Sequence, residues 1–96
     1  MAWLRRGRDP IQLTTSDHLD SIIKPDTYIC RSSSIASKAL GYPYDGVPGT
    51  LIVMPWNPAI PRVIAVFYTW NGGIIKRTSS ATGWGNWLDA LGNRID

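Results

Sequence analysis

The run Arg62-Val-Ile-Ala-Val-Phe-Tyr-Thr-Trp70, followed at once by Asn71-Gly72-Gly73 and then Ile74-Ile-Lys-Arg-Thr78, constrains the fold more than any other part of this sequence. Both runs are rich in β-branched and aromatic residues. The Asn-Gly-Gly link supplies residues that accept positive φ at little steric cost, which is the signature of a tight β-hairpin. A lone hairpin is marginal in water, so further strands and a covering layer are required.

Gly49-Thr-Leu-Ile-Val-Met54 is one such strand, and Thr27-Tyr-Ile-Cys-Arg31 another. The first is followed by Pro55-Trp-Asn-Pro-Ala-Ile-Pro61, whose three prolines cannot donate to a ladder and predict a stiff, exposed turn. Residues 32–50, rich in Ser, Gly and Pro, read as a long loop. Thr14 and Asp17 fit a capping box, and Leu19, Ile22 and Ile23 share a helical face, so the pattern predicts a short helix over 14–23 that Lys24-Pro25 ends. Trp84-Gly-Asn-Trp-Leu-Asp-Ala-Leu91 has apolar residues at helical spacing, whereas Gly85 and Asn86 are poor helix formers; helix and edge strand both remain open there. The fold class is therefore mainly β, a small α+β domain. It is expected to hold an antiparallel sheet of four to five strands and one short N-terminal helix, with residues 13–96 as the β domain and 1–12 as an N-terminal segment or linker.

At 96 residues, folding buries only about 60–65% of the unfolded surface, so each large side chain in the core counts. Apolar residues make up 44% and charged residues 18%, which excludes the composition of a disordered chain. Cys30 is the sole cysteine; it forms no intrachain disulfide, supports no cysteine zinc cluster and is expected as a buried apolar filler. The opening ten residues carry arginines without a following apolar run, which argues against a secretory signal peptide. No stretch approaches the roughly 20 apolar residues of a membrane helix.

The net charge of +3 is mild. Arg5, Arg6 and Arg8 cluster at the start, while the other basic residues are scattered, so a nucleic-acid-binding module is a remote alternative and a solvated terminus the simpler reading. Catalysis has little to work with. His18 lies between Asp17 and Asp20, but neighbouring positions on a helix face different ways and suit a solvated cap better than an acid/base dyad. Asp45, Asp89 and Asp96 stand far apart, and no nucleophile elbow, phosphate loop or metal-spaced cluster is present in the sequence. The chain is expected to be no enzyme and to need no cofactor.

Aromatic residues carry more information, because sugar rings stack their C–H faces on Trp and Tyr while neighbouring polar groups bond the hydroxyls. Trp56 in the proline-rich turn, Trp70 and Asn71 at the hairpin, and Tyr42 and Tyr44 around Pro43 in the long loop are the candidate ligand-binding residues. Each has an alternative role as a cover for the sheet edge. Trp84 and Trp87, with Leu88 and Leu91, are assigned to the core. Alternation sends Lys76 and Arg77 to opposite faces, so Arg77 is expected to pair with a carboxylate or to pack its stem under a Trp. Leu51–Met54 and Val63–Phe67 are apolar at consecutive positions, so both sheet faces should be covered, either by a partner subunit or by the loop over 32–50.

Taken in order, Leu19-Asp20-Ser-Ile22, Lys24-Pro25-Asp-Thr-Tyr28, Gly49-Thr-Leu-Ile-Val53, Phe67-Tyr68, Ile75-Lys-Arg77 and Trp84-Gly-Asn-Trp87 resemble the knob domain in the tail fibres of R-type pyocins and related phages and prophages. Ala65 and Val66 stand where that family often has a polar residue such as Gln, and the proline-rich turn is longer. The resemblance implies a small antiparallel β domain, usually part of a homotrimeric fibre, on receptor-binding proteins that contact a bacterial surface. It brings no catalytic residues. The expected function is attachment to a bacterial surface polysaccharide by reversible binding, on a virion tail fibre and without membrane insertion. A purely structural or trimerising module is the competing expectation.

Overall fold

The computed structural model describes residues 9–57, 59–80 and 83–95. Within them run β1 (Ile11–Gln12), β2 (Asp26–Cys30), β3 (Gly49–Asn57), β4 (Ile60–Thr69), β5 (Ile74–Ser80) and β6 (Gly83–Trp84). They form one sheet in that order. β1 pairs with β2 in parallel, and every other neighbour is antiparallel. The expected antiparallel sheet of four to five strands is thus a six-stranded mixed one. β1 and β6, two residues each, are too short to leave an alternating pattern in the sequence. The Arg5, Arg6 and Arg8 cluster lies outside the described residues.

The Asn71-Gly72-Gly73 hairpin forms as the residues demand. Tyr68 pairs with Ile74, Thr69 N–H donates to the Gly73 carbonyl at 2.9 Å, and Gly72 takes a φ of 96° that a side chain would resist. The Thr69 hydroxyl adds a side-chain clasp, accepting from Gly73 N–H at 2.7 Å.

Three local expectations are corrected. The helix over 14–23 is absent, and only a 3-10 turn, Leu19–Ser21, remains. The capping bond exists, since the Asp17 carboxylate accepts from Thr14 N–H at 2.8 Å, but it closes a turn. His18 is then extended, and its Nδ1 accepts the Asp20 N–H at 3.1 Å. So short a segment does not offset the cost of helix nucleation, and tertiary contacts of Leu19 hold it instead. Residues 55–61 do not form a wide turn: β3 runs on to Asn57 and β4 begins at Ile60. Pro55 is tolerated because β2 stops pairing at Val53, so its missing N–H faces no partner strand. Finally, 84–91 is neither helix nor full strand; after β6 it stays irregular and touches β5 again at Leu88, which exchanges two hydrogen bonds with Lys76 at 2.7 and 2.8 Å.

The two faces of the sheet differ. On the inner face, Leu51, Val53, Ala65, Phe67 and Ile75 pack with Tyr28 and Cys30, and the connections supply Leu13, Leu19, Ala36, Tyr42 and Trp87 as a cover. Phe67 is fully buried at the centre, meeting the Tyr42 ring edge-on at 5.7 Å and the Trp87 ring at 6.4 Å. The loop over 32–50 therefore folds onto this face, and Cys30 is buried within it.

Strand alternation puts Ile29, Thr50, Ile52, Met54, Ile64, Val66, Tyr68 and Ile74 on the outer face. None belongs to the core cluster, and Tyr68 and Ile74 are 43% and 45% exposed. Ile52 is buried at 8%, and the rest of this second apolar face is half-buried, opening toward Tyr68 and Ile74. No helix among them is long and apolar enough to cross a membrane.

Candidate functional site

The buried side of β5 positions the most highly charged interior group. Ile75 and Arg77 point inward beside Phe67 and Ala65, so Arg77 enters a core with only 6% of its side chain exposed. Its guanidinium lies between two indoles, 4.4 Å from the ring centres of both Trp84 and Trp87. The Asp20 carboxylate accepts from its Nη1 at 2.8 Å. Both roles expected of Arg77, carboxylate pairing and packing with Trp, are fulfilled together. Burial lowers the Arg77 pKa from its usual value, and the hydrogen bond and charge of Asp20 oppose that shift.

Asp20 is a junction for three segments. Besides holding Arg77, its main-chain carbonyl accepts the Trp84 indole N–H at 3.0 Å, and its own N–H is capped by His18. The Trp87 indole N–H donates to the Gly41 carbonyl at 2.9 Å. The two tryptophans thereby fasten the 3-10 turns Leu19–Ser21 and Lys38–Leu40 to the C-terminal segment. Trp87 is in the core and Trp84 packs against it, as assigned, whereas Leu91 is 87% exposed.

Between these segments lies a polar pocket of about 250 Å³, lined by His18, Asp20, Lys38, Tyr42, Arg77, Asn86 and Trp87 among others. Among the described residues, two buried side-chain atoms are without a hydrogen bond, the Tyr42 hydroxyl and Arg77 Nε, and both residues line this pocket. The Tyr42 hydroxyl is pushed well above its usual pKa, first by burial and then by the adjacent Cys30 thiol. No group of three His, Cys, Asp or Glu able to hold a metal occurs among the described residues.

A second pocket, of about 590 Å³, opens at the β4–β5 hairpin and is lined by Tyr44, Val47, Thr69, Asn71, Gly72, Gly73 and Ile75. Two of the five candidate ligand residues, Tyr44 and Asn71, meet here. The Thr69 hydroxyl donates to Asn71 Oδ1 at 2.6 Å, which fixes the amide oxygen. Trp70, 72% exposed, adjoins this pocket along the chain. Trp56 is exposed too, but lies eight ladder positions away, roughly 25 Å at about 3.3 Å per residue. One sugar cannot stack on both. Continued alternation places Trp56 and Trp70 at opposite ends of the outer face. Tyr42 is not an exposed loop residue: it is 2% exposed, because its ring packs on Phe67.

The Asp20–Arg77 pairing, with Lys38 and Asn86 around it, escaped the sequence reading. Fifty-seven positions separate the two partners, and nothing local to either announces the other.

No family model, no curated protein and no solved structure matches this chain.

Proposed function

We propose that this chain is a receptor-binding module of the tail-fibre knob type, which attaches a phage or phage-derived particle to a bacterial surface polysaccharide without catalysis. The observation that carries this reading is the hairpin pocket, where an aromatic ring and a fixed side-chain amide converge on a space large enough for a sugar. Tyr44 offers a face for C–H stacking and Asn71 an amide donor for a hydroxyl. Each such site is weak, and several copies on one fibre raise the avidity. Binding of labelled protein to host cells, or to their extracted polysaccharide, tests the proposal. A Tyr44→Ala/Asn71→Ala double variant is expected to weaken binding about tenfold or more, and a wild-type chain that binds no envelope polysaccharide sinks it.

The outer face favours a second, compatible reading, that further copies of this chain pack there in a homotrimeric fibre. Four strands at about 4.8 Å and a length of roughly 25 Å give a face of about 450 Å² in projection. That is more than half of the ~800 Å² each partner contributes to an ordinary interface. The face is largely apolar on β3 and β4, with Thr50 within it and Arg62 at its Trp56 end, and carries Lys76 on β5, so its middle suits another apolar face better than a sugar. Light scattering is expected to give a mass above the 10.6 kDa of one chain, falling to one chain in Val66→Lys/Ile74→Lys. A wild-type monomer at high concentration refutes this reading.

A further inference from the structure

We infer that the polar pocket around Arg77 is an anion subsite, holding a carboxylate or phosphate group carried by the glycan. It rests on the glycan reading for the source of the anion, and on the pocket itself for the charge. The rim and walls are unbalanced in their chemistry: Lys38, Arg77, Asn86 and His18 bring donors, while Asp20 is the lone carboxylate among the lining residues. His18 Nδ1 accepts the Asp20 N–H, which leaves Nε2 as the ring nitrogen able to donate. Arg77 spends one nitrogen on Asp20, and Nε, buried between two indoles, has no partner among the described residues. Two carboxylates outside the lining are already engaged, Asp17 with the Thr14 N–H and Asp45 with the Lys38 N–H. A donor-rich, partly desolvated site of this size suits a single charged oxygen-bearing group on one sugar-sized residue.

The two pockets are neighbours on one strand. Ile75 lines the hairpin pocket and Arg77 lines the polar one, two residues apart on the same face of β5, about 7 Å along the strand. Tyr44 and Tyr42 flank Pro43 in the same way. A glycan whose neutral unit occupies the first pocket would carry its next acidic unit over the second.

The test is a ¹H–¹⁵N titration of the whole chain with glucuronate, glycerol phosphate and neutral glucose in turn, following the Trp84 and Trp87 indole signals. Saturable shifts with glucuronate assign a uronic acid, and with glycerol phosphate a phosphate-bearing polymer; either supports the inference, with affinity falling as salt rises. Lys38→Ala is expected to weaken binding about three- to tenfold. Asp20→Asn should tighten it, a direction that a folding defect does not mimic. Equal shifts with glucose, no shift with either anion, or an unchanged affinity in Lys38→Ala overturns the inference. Cell binding separates it from the broader reading: adhesion that survives Lys38→Ala but falls in Tyr44→Ala/Asn71→Ala leaves glycan attachment standing and removes the anion subsite.

Discussion

Replacing Asp20 by Ala strands a guanidinium inside the protein, and the cost can be bracketed. Breaking a fully buried pair costs about 3–5 kcal/mol, and an exposed pair contributes about 0.2–1 kcal/mol. Here the Arg77 side chain is 6% exposed and that of Asp20 54%. Water reaches the carboxylate from one side, so the pair falls between those limits, at about 1.5–2.5 kcal/mol. Asp20→Ala leaves the main-chain bonds to His18 and Trp84 available, which confines the loss largely to the carboxylate. Arg77→Met puts an unbranched apolar chain between the same two indoles and needs no counter-ion, so in that background Asp20→Ala should cost less than about 0.5 kcal/mol. The coupling between the two changes is then about 1–2 kcal/mol. For a domain of this size, Asp20→Ala alone corresponds to a Tm lower by roughly 6–20 °C. Thermal and urea melts of the four proteins, followed by tryptophan fluorescence, give the cycle. A coupling below about 0.5 kcal/mol refutes the claim that Asp20 is what makes the buried charge tolerable.

Two glycines separate steric from conformational cost. A Cβ on Gly49 would collide with the Tyr68 carbonyl oxygen in the neighbouring strand; Gly49→Ala is expected to lose about 3 kcal/mol or more in urea melts, since backbone must move. Gly72 has open space around it and a φ of 96°, so Gly72→Ala should cost only about 1 kcal/mol by the same measurement. Tyr42 makes stability depend on pH at the alkaline end. Its folded pKa is raised by burial, so its contribution is complete below pH 10 and is lost as pH rises past 10. The slope difference between wild type and Tyr42→Phe should reach about 1.4 kcal/mol per pH unit at most. Because the hydroxyl is unpartnered, Tyr42→Phe should leave stability at pH 7 unchanged or slightly higher; a large loss there would place a strong hydrogen bond on it.

The parts of the fold that were legible are those whose requirements are local. Asn71-Gly72-Gly73 announces its turn because two flanking strands of β-formers leave no other use for those glycines. Val63, Ala65 and Phe67 against Ile64 and Val66 foretell a strand with two apolar faces, though which face the chain covers depends on where the loop over 32–50 returns. That loop's apolar residues, Ile35, Ala36, Leu40, Tyr42 and Tyr44 among them, follow no strand or helix period, and the burial of Ala36 and Tyr42 is decided by the space above Phe67. The 14–23 segment reads as a helix because its capping bond is real; what the pattern cannot express is that the segment stops after one bond. Of the candidate site, Tyr44, Trp70 and Asn71 were visible through their residue types. Asp20 and Arg77 meet only once β5 and the Leu19–Ser21 turn are in place, and Trp56 was legible as exposed but not as distant.

Beyond Val53 and Ile64 the β3–β4 hairpin outruns its neighbours and projects as a two-stranded arm. Such an arm would ordinarily present open ladder edges to any passing extended chain. Three of its outward-facing positions have been disarmed: Pro55 and Pro61 own no amide hydrogen, and that of Val63 is held by the Ser79 hydroxyl at 2.9 Å. The arm can touch other molecules through side chains such as Trp56 without inviting them to lengthen the sheet, so copies of this chain can be concentrated without fusing edge to edge along it.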